Sequence, residues 1–124
     1  MRFNNKNVIL PEPYVQPRPA NNEIWYTTSD GNIVTPNSGS LPTIVSNTYV
    51  NGKGIIKCAS DITSIGFSAF DNKYKMIAVE IPNSVTSIGG VAFWHTYIKS
   101  FFIPVNVNNI GMEAFKYCNY LEDM

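Results

Sequence analysis

Apolar and polar positions in the second half of the chain follow one pattern written three times. Apolar-x-x-Ile-Gly-x-x-Ala-Phe appears as ITSIGFSAF from Ile62, VTSIGGVAF from Val85 and VNNIGMEAF from Val107. Phe70 and Phe93 lie 23 residues apart, Phe93 and Phe115 22, and Ile65, Ile88 and Ile110 keep the same two intervals. Between the copies, MIAVEIP (76–82) and IKSFFIP (98–104) read as short strands. Their inward residues are Met76, Val79 and Ile81, then Ile98, Phe101 and Ile103, and a proline ends each ladder. The residue missing from the second interval falls between Phe93 and Ile98, in a loop, where deletions are tolerated.

The first half reads differently. Residues 1–22 carry Pro11, Pro13, Pro17 and Pro19, which fix backbone angles and remove donors, so a leader or linker, extended and partly disordered, is expected there. EIWYTTSDGNIVTP then places two β-prone runs around Asp30-Gly31, a hairpin signal. TIVSNTYV and GIIKCA flank Asn51-Gly52 as a second hairpin, and PNSGSLP between them is a loop. The expected division is therefore a leader over 1–22, a β-hairpin capping region over 23–54 and a repeat array over 55–124.

Units of roughly 20–29 residues that contain a strand mark a leucine-rich-repeat solenoid, in which no unit buries its apolar face alone. The fold class expected is mainly β with short helical turns, a solenoid preceded by a β-hairpin region. Ile62, Val85 and Val107 form one inward column, and Ile65, Ile88 and Ile110 another. Gly66, Gly89 and Gly111 are expected to permit the sharp turn that follows. Small Ala69, Ala92 and Ala114 let the turn sit tightly, and Phe70, Phe93 and Phe115 should stack as an aromatic spine. Aligning IIKCASDITSIG with VEIPNSVTSIG puts Cys58 over Ile81, Lys57 over Glu80 and Ile56 over Val79. Downstream, Leu121 and Met124 match Met76 and Val79, so the last rung reads as an open edge.

Charge narrows the partners. Nine Lys plus Arg balance nine Asp plus Glu, so no basic surplus drives phosphate binding, and nucleic acid is not an expected partner. No apolar run approaches the roughly 20 residues of a membrane span, and MRFNNKNVIL lacks the apolar stretch of a signal peptide. Catalytic and metal chemistry find little to build on. His95, the single histidine, stands in the loop WHT without a nucleophile pattern. Cys58 and Cys118 fall about three rungs apart, on the order of 14 Å at roughly 4.8 Å per strand step, beyond disulfide range. They read as buried thiols, and no paired Cys or His offers a zinc site. No cofactor and no enzymatic activity are expected.

Outward strand positions carry the candidate contacts. Lys57, Glu80 and Phe102 share one column; Ile55, Ala78, Ser100 and Asp123 share the other. Lys57 and Glu80 are expected as neighbours, a surface pair worth about 0–1 kcal/mol that also serves register. Phe102, pointing away from the core, is the expected ligand contact, with Lys57, Glu80 and Ser100 around it. Trp25 and Tyr26 are adjacent, so one faces in and the other out.

The phrases EIPNSVTSIGGVAF, DITSIGFSAF and GMEAFKYCNYLEDM resemble the BspA-like leucine-rich repeats, whose recurring sentence is Ile-Pro-x-x-Val-x-x-Ile-Gly-x-x-Ala-Phe-x-x-Cys-x-x-Leu. The resemblance covers roughly Ile55 to Met124; Lys73 and Thr96 stand where the family has Cys. NEIWYTTSDGNIVTP is similar to the extension found ahead of such repeats in surface proteins of gut anaerobes. The resemblance implies a bacterial adhesion or host-interaction module, at the cell surface or secreted, that binds a protein or glycan ligand without catalysis. The alternative is a structural terminal piece of a longer repeat protein that self-associates weakly through its open C-terminal edge.

Overall fold

The computed structural model describes residues 17–122. Among the described residues seven strands form two sheets. β1 (Glu23–Thr28), β2 (Ile44–Val50), β3 (Lys53–Cys58) and β5 (Met76–Glu80) make an antiparallel sheet in the order β2-β3-β1-β5. β4 (Ser64–Ile65), β6 (Ser87–Ile88) and β7 (Asn109–Ile110) make a narrow parallel ladder in that order.

The second expected hairpin forms, with a turn of two residues rather than a loop through Gly54, which already lies in β3. Asn51 (φ 52°) and Gly52 (φ 78°) both take the left-handed conformation that a two-residue turn between twisted strands requires. The first does not. Asp30-Gly31 turns the chain, with Gly31 at φ 74° and Asn32 N–H donating to Asp30 Oδ1 at 3.1 Å, but residues 32–36 form no strand. Both edges of β1 are already taken, by β3 on one side and β5 on the other, so a return strand has nowhere to pair. The segment folds under the sheet instead: Val34 is buried and its N–H donates to Tyr26 Oη at 3.2 Å. A 2.9 Å ion pair from Lys75 ties down the turn, and that hydrogen bond holds the Asp30 carboxyl at about 2.

Strand alternation explains which face of β1 is inside. Ile24, Tyr26 and Thr28 are buried, leaving Trp25 outward. Tyr26 pairs across the ladder with Gly54, and a Cβ at Gly54 would collide with the hydroxyl end of the Tyr26 ring. Glycine in mid-strand is therefore there to admit an aromatic from the neighbouring strand.

The repeats stack through their backbones. Thr86 N–H donates to Thr63 O and Gly89 N–H to Ile65 O; one rung on, Asn108 donates to Thr86 O and Gly111 to Ile88 O. The turns that follow close without helix among the described residues. Alternate amides bond within the turn, Ala69 to Gly66 O and Asp71 to Ser68 O, while those between, of Ser68, Phe70 and Asn72, donate to Gly90, Ala92 and Trp94 of the next rung. Ser68 and Asn72, Val91 and His95, and Glu113 and Tyr117 all sit at positive φ, the price of aiming every second amide at a neighbour.

Gly66, Gly89 and Gly111 do not serve as flexible turn positions, since none has positive φ. A Cβ on Gly89 would stand 2.6 Å from Phe67 N and 2.7 Å from Gly66 C, and one on Gly66 would stand 2.7 Å from Ser40 O. Their missing side chain lets one rung lie against the next. The aromatic spine forms as expected: Phe70 and Phe93 stack at 5.5 Å and 13°, and Phe93 and Phe115 at 5.4 Å and 8°. Phe101 packs edge-on against Phe93 at 5.1 Å.

Three further expectations change. Residues 98–104 run beside β5 with Lys99 N–H donating to Ile77 O at 3.2 Å, but only Ser100 forms a ladder bridge; β5 is held along its length by antiparallel β1, whereas this segment has no such partner among the described residues. Residues 17–22 are packed rather than loose: Pro19 is buried, and Asn21 O and Asn22 O accept from Ile62 N–H and Cys58 N–H. The remainder of the expected leader, residues 1–16, lies outside the described residues. The division expected at 54/55 falls within β3. Cys58 is buried, which pushes its thiol pKa up, and half-buried Cys118 donates from Sγ to Phe93 O at 3.0 Å.

Candidate ligand-binding face

The outer face of the four-stranded sheet presents Lys53, Ile55 and Lys57 from β3, Glu23, Trp25 and Thr27 from β1, and Ala78 and Glu80 from β5. Register sets their order, with Trp25 paired to Ile55 on one side and Glu80 on the other. Lys57 and Glu80 are therefore not neighbours: β1 lies between their strands, which are about 9–10 Å apart, and Lys57 stands opposite Glu23 whereas Glu80 stands opposite Trp25. Lys57 pairs instead with Glu23, Nζ to Oε2 at 3.7 Å, and Glu23 also accepts from Trp25 Nε1 at 3.0 Å.

A cleft of about 1080 Å³ opens on this face, and it joins three of the four residues singled out from sequence: Glu80, Ser100 and Phe102 line it, Lys57 does not. Phe102 is 58% exposed, and the Arg18 guanidinium stands 4.7 Å over its ring. Arg18 is fixed by Glu80 Oε1 at 3.1 Å and Ile81 O at 2.7 Å. Its Nε is buried with no partner among the described residues. Across the cleft, Lys53 Nζ stands 3.2 Å from the centre of the Trp25 ring. Two aromatic side chains, each covered by a cation, thus flank a carboxylate and a serine hydroxyl. Such pairs hold rings in place while leaving apolar area available to a partner. Val105, 89% exposed, adds an apolar rim.

Sequence reasoning missed Arg18, Trp25 and Lys53. Trp25 was within reach: Ile24 and Tyr26 share a face at a two-residue period, so an inward Ile24 turns Trp25 out. Arg18 sits in a segment read as linker, and nothing in its sequence context announces that it folds back over β5.

His95 lies apart from the cleft, edge-on to Tyr74 at 5.1 Å. Among the described residues no three His, Cys, Asp or Glu side chains gather to hold a metal ion.

The stacked rungs, the Ile-Gly close approaches and the phenylalanine spine have a counterpart among known families. Residues 24–124 match the family described as BspA type Leucine rich repeat region (6 copies). The chain belongs to the BspA-type leucine-rich-repeat family. The match begins in β1, well upstream of the Ile55 start read from sequence, in keeping with the central place of β1 in the sheet. The BspA-type chain is also similar to a leucine rich cell surface protein from Faecalibacterium prausnitzii A2-165, of known crystal structure. The identity is 34% over 52% of this chain, with a TM-score of 0.50, and the similarity covers 17% of that protein. No curated protein matches the chain in sequence. Family and neighbour together show a leucine-rich-repeat chain.

Proposed function

We propose that the protein is a noncatalytic adhesion module, displayed at the cell surface, whose cleft between Trp25 and Phe102 engages a protein partner. The observation that carries this reading is the pairing of two cation-covered aromatics on one open sheet face, with Glu80 and Ser100 between them. Trp and Arg dominate the energetics of protein interfaces because each combines a large contact area with directional polar groups. Glu80 and Arg18 are already ion-paired in the free state, so a partner meets a preformed surface. The test is binding of labelled protein to epithelial cells, intact and after trypsin treatment. Binding should vanish with trypsin, and Trp25→Ala together with Phe102→Ala should weaken it by about 2 kcal/mol or more. Equal binding by the double variant, or none by the natural chain, rejects the cleft.

A second reading has its own observation. The amides of Glu113, Phe115 and Tyr117 are equivalent to amides that bind the next rung elsewhere, yet they have no acceptor among the described residues. Ile110 and Met112 beside them are 42% and 83% exposed. This open edge supports weak self-association through the last rung. Sedimentation velocity over a wide concentration range should show a rising sedimentation coefficient that Met112→Lys suppresses. A concentration-independent monomer rejects it.

A further inference from the structure

The turn side of the solenoid carries a second surface, sharing no residue with the cleft. Tyr74, Tyr97 and Tyr120 stand one per rung, with ring centres 6.1 and 4.9 Å apart. Beside them His95 lies 5.1 Å from Tyr74, Trp94 5.4 Å from His95, and Tyr117 5.5 Å from Trp94. The three tyrosines of the first row are 49%, 42% and 51% exposed, and Tyr117 50%. Six rings thus form one continuous strip across three rungs.

We propose that this strip binds a linear, neutral polysaccharide. Three features of the surface select that occupant. Its rings are Tyr, Trp and His, and the exposed aliphatic Ile33 touches only its first-rung end; amphipathic rings suit the apolar C–H faces and hydroxyls of a sugar. The hydroxyls of Tyr97 and Tyr120 make no hydrogen bond among the described residues, so they are free to donate and accept. Lys116, 5.2 Å from the Tyr117 ring, is paired with Glu113 at 3.1 Å and Lys75 with Asp30 at 2.9 Å, which weakens the field along the strip; Lys73, at its first-rung end, makes no ion pair among the described residues. Repetition supplies the geometry. One tyrosine per rung at 4.9–6.1 Å is comparable to the length of one pyranose unit, so a chain laid along the solenoid axis meets a tyrosine at each step, successive rings turned by 65° and 51° so that faces and edges are both offered. At its first-rung end the strip opens into a hollow of about 410 Å³ between Ile33 and Tyr74, room for a terminal sugar or branch.

The experiment is native gel electrophoresis of the full chain in gels containing a linear glucan, mannan, xylan or the anionic polygalacturonate, with Trp fluorescence titrations of oligosaccharides of increasing length. At least one neutral polymer should retard the protein, and affinity should rise from disaccharide to tetrasaccharide. Tyr97→Ala should weaken binding at least about tenfold, while Phe102→Ala leaves it unchanged. Tyr120→Ser, at the exposed end, provides a second variant should Tyr97→Ala unfold by circular dichroism. Retardation by no neutral polymer, by polygalacturonate alone, or equally in both tyrosine variants overturns the proposal. Loss of cell binding in the cleft variants with retention here separates the two surfaces.

Discussion

Replacing Phe93 with alanine is expected to destabilise the fold by about 3–5 kcal/mol, the largest loss from any single core truncation along the spine. Phe93 is fully buried, stacks on Phe70 and Phe115 from opposite sides, and receives Phe101 edge-on. Removing its ring leaves a cavity whose walls are held by inter-rung hydrogen bonds, Phe70 N–H to Ala92 O and Phe93 N–H to Ala114 O, so they cannot collapse inward without breaking the ladder. Phe115 is only half-buried and has no rung beyond it among the described residues. Phe115→Ala should therefore cost less. Urea unfolding followed by circular dichroism measures both, and equal small losses would mean the spine is not the core.

Gly89→Ala is expected to cost about 3 kcal/mol or more, at the upper end of overpacking effects. The added carbon would meet Phe67 N and Gly66 C, both backbone, so no side chain can rotate away; the rungs themselves must part, weakening the 2.7 Å bond from Gly89 N–H to Ile65 O. Gly31→Ala is the matched control. It has positive φ and open space, so only left-handed strain of about 1–2 kcal/mol applies. Paired melts decide between the two accounts: a loss at Gly89 no greater than at Gly31 would restore the turn-flexibility reading and reject close approach.

Much of the repeat was legible because each of its positions is a local choice. Ile62, Ile65, Ala69 and Phe70 recur at one spacing, and a residue facing a stacked neighbour must match that neighbour's equivalent. The spine, the inward columns and the Asn51-Gly52 hairpin could be read from pattern and turn chemistry alone. The site was less legible. Phe102, Glu80 and Ser100 do share a cleft, but Lys57 was placed there by treating β3 and β5 as adjacent.

What the sequence by itself determined is therefore the period, the faces and the stacking residues, all consequences of alternation and repeat spacing within a few neighbouring residues. Tertiary structure alone decided which strands touch. β1 enters between β3 and β5 because Tyr26 fits over Gly54 and both of its edges find partners, a match between segments far apart in the chain that no local period encodes. The same insertion carries Trp25 into the outer face. Arg18 reaches Phe102 only because residues 17–22 pack across the strand ends, with Asn21 and Asn22 satisfying the amides of Ile62 and Cys58. Long-range pairing is settled by the sum of buried area and satisfied backbone groups over the whole sheet, and that sum exists only once the chain has folded.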